Sequence, residues 1–254
     1  FLVKLLILRD ILMVNDDLKS LHKDVVMKKL AFISVFALFI FSNYSFSASH
    51  YYPVDYDKEL VNGSLEGSDL KEALFDLMNS SHIVNSGSSD ELVSDCSSKR
   101  GVCVSRKVLS YKEARKKMFG DLDLRKTTNG YYVKDVYCEK KYISSKFNVG
   151  PGKIPNHNNL NCEHTWPQSR FSKRFPKGMQ KSDLHHLFPT ASFANSARAN
   201  YEFSELNREG SLGNCPSEVE NGGAFEPPKA HKGNVARALF YFSVRYKLNI
   251  SRSE

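Results

Sequence analysis

The sequence contains no internal repeat and no long low-complexity run, and its composition is 41% hydrophobic and 25% charged residues. These features exclude a disordered or fibrous protein, and 254 residues are enough to bury a core. Acidic residues are few, since 28 Asp and Glu stand against 36 Lys and Arg and leave a formal net charge of +8. This balance favours a polyanionic partner, although solubility alone also explains it.

Long apolar runs are scarce, and the one at residues 30–41 is too short for a comfortable membrane span. Two lysines precede this run and a polar, serine-containing stretch follows it, which is the pattern of a secretory signal peptide at 27–47. A retained membrane anchor is the alternative. Because the chain does not open with Met, we expect residues 1–26 to be a non-native upstream segment and residues 48–254 to form the folded domain.

Cysteine is scarce too, and its number is odd, so one thiol is free or its partner is missing. Export would favour disulfides, but the sequence leaves the pairing open, with a short Cys96–Cys103 loop as one candidate. The chain ends at Glu254, just after a helical segment. We therefore expect a truncated C-terminus, which would also explain the odd thiol.

Hydrophobic spacing predicts a mixed α+β domain. The expected helices and strand are a helix that begins near Asp69, a basic helix at Tyr111–Phe119, a strand at 131–137, a helix at Thr190–Glu205 and a final helix at Gly233–Lys247. Residues 79–103 and 148–161 are expected to be loops. In the final helix, apolar residues recur every three or four positions, at Val235, Leu239, Phe242 and Tyr246, so one face should be buried.

The adjacent pair Glu163-His164 carries two kinds of chemistry. An imidazole can act as a general base near neutral pH, and a carboxylate is a hard oxygen ligand for Mg²⁺. Neighbouring residues of an extended strand point to opposite sides, so the two can share one site only if the strand ends there. Pro167 is consistent with such an end, but a surface Glu-His pair is the alternative.

Two further blocks contain possible ligands. The block Asp183–Pro189 holds a carboxylate and two imidazoles, and Asn195 offers an amide oxygen that Mg²⁺ accepts. A different interpretation is a structural zinc site, whose ligand types are present at Cys162, His164, His185 and His186. The tight C-x₂-C spacing that usually accompanies such sites is absent from this chain.

The order of these blocks resembles the signature of the endonuclease I family, which consists of periplasmic and secreted bacterial nucleases. The blocks that carry the resemblance are Glu163-His164-x-Trp166-Pro167, Asp183-x-His185-His186-Leu187-x-Pro189, Asn195-x-x-Arg198-x-Asn200 and Glu226-Pro227-Pro228 with Gly233-x-x-Ala236-Arg237. The resemblance implies a central ββα-metal (His-Me) finger, with a strand ending at His164, a second strand, and a helix bearing Asn195.

The resemblance also implies the roles of the site residues. His164 would be the general base, and Glu163 and Asn195 would hold one Mg²⁺, for which Mn²⁺ could substitute. The substrates would be DNA and RNA, cut without sequence preference to leave 5′-phosphate ends. The protein would be a periplasmic or secreted monomer, without membrane attachment once the signal peptide is removed.

Roles are also expected for other residues near the motifs. An arginine that steadies the cleaved phosphate is expected, and Arg170 and Arg174 are both candidates. Supporting positions beside the metal ligands are expected for Asp183, His185 and Arg198. A basic run is expected to contact the substrate backbone, although a solvated face is the alternative; it comprises Lys173, Lys177 and Lys181, next to Arg174.

Two other functions remain open at this point. One is a basic nucleic-acid-binding protein that holds structural zinc and has no catalytic activity. The other is a ribonuclease restricted to RNA.

Overall fold

The computed structural model describes residues 55–97, 102–206, 212–220 and 223–252, except for the side chain of Asp57. The expected upstream segment 1–26 and the expected signal peptide 27–47 lie outside these ranges. None of the described helices combines the length and the apolar composition that a bilayer span requires.

The described residues form helices and short strands, which establishes the α+β class. The helices are α1 Tyr56–Val61, α2 Gly67–Asn79, α3 Tyr111–Lys117, α4 Lys177–Lys181, α5 Ser192–Arg198 and α6 Lys229–Arg245, with a π-turn at Met118–Leu122 and 3₁₀ turns at Gln168–Arg170 and Leu184–His186. The strands are β1 Ser81–Ile83, β2 Glu91–Val93, β3 Cys103–Val104, β4 Leu124–Thr127, β5 Gly130–Lys134, β6 Lys141–Ile143, β7 Leu160–His164, β8 Leu187–Ala191, β9 Glu202–Phe203, β10 Glu218–Glu220 and β11 Ala224–Glu226.

Strands β7 and β8 form an antiparallel pair at the centre of the domain, and helix α5 follows β8 directly. The register places Cys162 opposite Pro189 and His164 opposite Leu187. Most residues of both strands are buried, so side chains on either face of the pair meet other parts of the protein. This pair brings the first two sequence blocks side by side.

The expected helix at Thr190–Glu205 is wrong at both ends. Thr190 and Ala191 complete strand β8, because pairing with the buried strand β7 outweighs the helical preference of an alanine-rich stretch. The helix ends at Arg198, where the next residue, Ala199, takes a positive φ of 50°. The chain then continues into the short strand β9.

Helix α6 closes the core next to this pair. The expected apolar stripe is buried as predicted, at Val235, Leu239, Phe242 and Tyr246. The helix begins four residues before the expected Gly233, because Pro228 is a suitable residue to precede a first helical turn. The ring of Trp166 stacks on Phe242 with the ring centroids 5.3 Å apart, which places this tryptophan in the core.

Of the elements expected in the first part of the domain, one helix forms as predicted, one is shorter, and one expected loop contains strands. Helix α2 forms where the pattern near Asp69 predicts it. The basic helix forms as α3 but ends at Lys117, before the π-turn. Residues 79–103 do not form only a loop, since they contribute the three-stranded sheet β2-β1-β3.

The strand expected at 131–137 is shorter than predicted. It spans Gly130–Lys134, and Asp135 then accepts hydrogen bonds from the backbone of Tyr137, Cys138 and Lys140, which holds the chain in a turn. The turn before this strand uses Gly130 at a φ of 121°, a region that favours glycine.

Two disulfides are present, Cys96–Cys103 and Cys138–Cys215. The first is the candidate loop named from the sequence. Cys162 is the free thiol, buried in strand β7 with its Sγ 3.9 Å from the sulfur of Met118. The odd cysteine is therefore a core residue in this structure.

Candidate active site

A cavity of about 330 Å³ opens where strand β7 ends beside helix α5. Its walls include the side chains that the first and third sequence blocks supply, Glu163, His164 and Asn195. Tyr111 from helix α3 and Arg198 from helix α5 also line it. The structure thus brings the three proposed central residues to one place.

Adjacent strand residues can share this cavity because β7 ends at His164. Thr165 still donates its backbone N–H to His186 over 3.0 Å, and the chain then bends through Trp166 toward the 3₁₀ turn. Because the strand ends there, the adjacent Glu163 and His164 can both face one site.

The carboxylate of Glu163 is almost fully buried, with 1% of the residue exposed. Its Oε1 accepts a hydrogen bond from the hydroxyl of Tyr137 at 2.8 Å and lies 3.2 Å from Nη1 of Arg198. Burial raises the pKa of Glu163, whereas the Arg198 cation and the Tyr137 hydroxyl oppose that rise. Both contacts use Oε1, so Oε2 is the oxygen left for a further partner.

Arg198 connects the helix to the end of the strand. Its guanidinium, itself 1% exposed, donates to the backbone oxygens of His164 at 3.3 Å and Thr165 at 2.9 Å. The same group pairs with Glu163 and lies 4.4 Å from the ring centre of Phe203. Arg198 therefore contacts the proposed metal ligand directly.

Backbone groups orient the imidazole of His164, with Lys181 as the stronger hydrogen-bond partner and Cys162 as the weaker. Nε2 of His164 lies 3.1 Å from the backbone oxygen of Lys181, and because a carbonyl can only accept, Nε2 carries the proton. The neutral ring then has its lone pair on Nδ1. Burial, together with the neighbouring ring of His186 at 5.4 Å, lowers the pKa of His164 to about 3.

A second histidine, His186, is held in the same way by the residue that precedes Lys181. His186 is fully buried and donates from Nε2 to the backbone oxygen of Gln180 at 2.9 Å. The Gln180 side chain in turn accepts from Ser172 N and donates to the oxygens of Ser172 and Phe175. This buried amide closes the loop that ends at Lys181.

Asn195 lies on α5, one turn before Arg198 and on the side of the helix that faces β7. Together with Glu163 it offers one amide oxygen and one carboxylate, both ligand types that Mg²⁺ accepts. Within the described ranges, no group of three or more His, Cys, Asp or Glu side chains is arranged to hold a metal. The alternative of structural zinc therefore finds no ligand cluster there.

The structure does not bring Asp183 and His185 to the cavity. Asp183 accepts hydrogen bonds from His185 and from the hydroxyls of Tyr241 and Tyr246 on helix α6. Burial alone would raise the pKa of Asp183, but the bonds from His185 and Tyr246 lower it to about 2. The side chain of His185 is 67% exposed and stacks on Tyr241. This pair secures the loop to helix α6, away from the expected position beside the metal ligands.

The two candidate arginines lie outside the cavity wall as well. Arg170 places its guanidinium 5.8 Å from the ring centre of Trp166 and 3.6 Å from Glu202, and Arg174 is exposed. In the basic run, Lys173 and Lys177 are exposed. Lys181 alone stands beside a cavity residue, with Nζ 4.4 Å from the ring centre of Tyr111.

Tyr137, Gln180 and Tyr111 are the site residues that the sequence did not indicate. Tyr137 comes from the turn after β5, and Gln180 from inside a basic run that looks like a solvated face. No spacing rule connects either of them with Glu163 or His164, so only the folded chain reveals their contacts.

Several curated proteins are similar to this chain. An extracellular ribonuclease of Bacillus subtilis (strain 168) is 39% identical over 87 residues, which cover 34% of this chain and 29% of the relative. A periplasmic deoxyribonuclease of Aeromonas hydrophila is 30% identical over 98 residues, covering 37% and 41% respectively. Endonuclease-1 of Buchnera aphidicola subsp. Acyrthosiphon pisum is 27% identical over 139 residues, covering 47% and 56%. The matches thus span less than two thirds of these relatives.

The sequence profile of the Endonuclease I family matches residues 69–254, a range that includes the whole cavity and helix α6. This range is well over half of the chain, and it contains the residues that line the cavity. The chain belongs to the endonuclease I family.

Proposed function

We propose that this protein is an exported, metal-dependent endonuclease that hydrolyses the phosphodiester bonds of DNA and RNA without sequence preference. The observation that carries the proposal is the convergence of Glu163, His164 and Asn195 on one cavity. The relatives named as an extracellular ribonuclease and a periplasmic deoxyribonuclease support both the chemistry and an extracellular or periplasmic location.

The residues present fit a single hard cation. Mg²⁺ is commonly bound through one or two carboxylates, and it keeps several waters or phosphate oxygens as its remaining ligands. Oε2 of Glu163 and the amide oxygen of Asn195 would hold it, and the cavity leaves room for the other ligands. When bound, Mg²⁺ or Mn²⁺ would supply positive charge beside the phosphate and the departing oxygen. Strands β7 and β8 with helix α5 would then be the ββα-metal finger.

The imidazole of His164 would supply the base. Nδ1 would take a proton from a water while that oxygen joins phosphorus and the bond from phosphorus to the 3′-oxygen breaks. The departing 3′-oxygen would take a proton from solvent water, so the products would carry a 5′-phosphate and a 3′-hydroxyl. Burial lowers the pKa of His164, which keeps the ring neutral and able to accept a proton.

Contacts to phosphate and sugar carry no sequence information, so a site of this kind should cut at many sequences. The exposed Lys173 and Lys177 remain candidates for contacts along the backbone. We expect the active form to be a monomer, since one chain supplies all the side chains named here.

The test is digestion of plasmid DNA and of an RNA transcript by the disulfide-bonded protein, with Mg²⁺ or with EDTA. We expect both substrates to be degraded only with Mg²⁺, and His164→Ala to abolish degradation. His185→Ala is the matched control, because that histidine is exposed and lies away from the cavity. Intact DNA beside degraded RNA would indicate a ribonuclease, and binding without any cleavage would overturn the proposal.

A further inference from the structure

Two cations lie beside the ring of Tyr111, and neither forms an ion pair with a described residue. The guanidinium carbon of Arg115 lies 5.6 Å, and Nζ of Lys181 4.4 Å, from the centre of the Tyr111 ring. That ring lines the cavity, and its centre is 5.6 Å from that of His164. Neither cation lines the cavity itself, but each lies against the ring of a residue that does.

Neither cation has an acidic partner among the described residues. Nε of Arg115 is buried and makes no hydrogen bond. The one acidic residue of helix α3, Glu113, is engaged in a capping box with Ser110. The positive charge of Arg115 is therefore not compensated at Nε, which favours an anion close to the guanidinium.

The two cations are also held in place before any ligand arrives. Arg115 follows Tyr111 by one helical turn, so helix α3 fixes their relation, and the capping box fixes the start of that helix. The backbone of Lys181 is held in place, because its carbonyl oxygen accepts a hydrogen bond from Nε2 of His164. Contact with the aromatic face of Tyr111 further limits the motion of the lysine side chain.

We propose that Arg115 and Lys181 form a subsite, here called the Tyr111 subsite, that binds a backbone phosphate next to the bond being cleaved. The inference rests on the proposed nuclease function and extends it to a helix that the sequence motifs do not include. The negative charge of a phosphodiester is attracted to both cations, and an arginine can donate to two of its oxygens at once. The subsite adds affinity for DNA and RNA alike, since a phosphate is common to both.

The test is binding of a fluorescein-labelled single-stranded DNA oligonucleotide, followed by anisotropy in EDTA over a series of KCl concentrations. EDTA prevents metal-dependent cleavage, so binding is measured whether or not the protein cuts. We expect Arg115→Gln and Lys181→Gln each to weaken binding about tenfold, and to reduce the salt dependence of log K by about 0.7. Lys181→Gln keeps the backbone oxygen that holds His164, so it removes the charge alone.

Lys116→Gln is the matched control. It removes one positive charge from the same helix, but Lys116 packs near Gly152, whereas Arg115 and Lys181 lie against the Tyr111 ring. We expect this variant to bind like the wild type, and all three variants to melt at the wild-type temperature. With Mg²⁺, KM should rise about tenfold in the two subsite variants while kcat changes much less.

Equal salt dependence in Arg115→Gln, Lys181→Gln and Lys116→Gln would overturn the subsite. That outcome differs from a failure of the proposed function, in which the wild type binds the oligonucleotide but cuts no nucleic acid with Mg²⁺.

Discussion

The side chain of His164 donates from Nε2 to the backbone oxygen of Lys181 across 3.1 Å. The carbonyl of the preceding residue, Gln180, accepts a hydrogen bond from Nε2 of His186 at 2.9 Å. Two successive peptide groups therefore set the tautomers of two neighbouring histidines. For His164 this places the lone pair on Nδ1, the atom that the proposed hydrolysis uses.

Gln180 should control this arrangement through its side chain. The buried amide makes three hydrogen bonds that fold residues 172–180 on themselves. Gln180→Ala leaves those backbone groups unpaired, which should destabilise the fold by about 3 kcal/mol. We also expect kcat to fall about tenfold with little change in KM, because the Lys181 carbonyl loses its fixed position.

Cleavage kinetics and the ¹⁵N shifts of the His164 ring measure these effects. Ser182→Ala is the control, since the Ser182 hydroxyl bonds to Gly178 in the same segment and touches neither histidine. If the Gln180 variant kept both the wild-type kcat and a proton on Nε2, the positioning role would be wrong.

The buried pair of Arg198 and Glu163 should be essential for stability before it matters for catalysis. Their side chains are 1% and 2% exposed, so removing one leaves an unpaired charge in the core. We expect Arg198→Met to lower the free energy of unfolding by about 3–5 kcal/mol. Urea denaturation measures the loss, and adding Glu163→Gln to the same chain should recover part of it.

That recovery tests the pairing itself. A double variant whose loss equals the sum of the two single losses would show that the two side chains do not interact.

Mild acid should weaken the fold through the buried histidines with a lowered pKa, which are His164, His186 and His231. Burial lowers the pKa of His186 to about 4, and burial with the nearby Arg237 does the same for His231. The unfolded chain takes up these protons near pH 6.5 and the folded chain only near pH 4, so stability falls as the pH drops through that window. His186 and His231 each contribute at most about 3 kcal/mol to this fall.

Asp123 acts in the opposite direction, because burial raises its pKa to about 6. The comparison of variants separates the two effects. Urea denaturation at several pH values between 7 and 4.5 should show a shallower decline for His231→Gln than for the wild type. His157→Gln, at an exposed histidine, should follow the wild type. A His231→Gln curve parallel to that of the wild type would contradict the assignment.

The sequence indicated the centre of the site better than its surroundings. Glu163, His164 and Asn195 belong to ordered motifs, and the end of a strand at His164 lets the adjacent Glu163 and His164 share one site. Their roles in metal binding and base catalysis remain predictions. Tyr137 and Gln180 could not be found in this way, because each acts through one hydrogen-bonding contact that only the folded chain creates.

The local secondary-structure preference of a segment gives the wrong prediction where tertiary contacts determine its structure. The alanine-rich stretch after Thr190 has helical composition, yet its first residues pair with β7. Asp183 and His185 lie near the site residues in sequence, but hydrogen bonds from the tyrosines of α6 hold Asp183 away from the cavity. Closeness along the chain does not determine which face of a loop a side chain occupies.

Titration of the protein with Mn²⁺, followed by electron paramagnetic resonance, tests the central claim most directly. The account predicts one bound Mn²⁺ per chain, displaced by Mg²⁺, with at least tenfold weaker binding in Glu163→Gln and Asn195→Ala and unchanged binding in His185→Ala. Wild-type affinity in both Glu163→Gln and Asn195→Ala would contradict it, because the ion would then lie elsewhere.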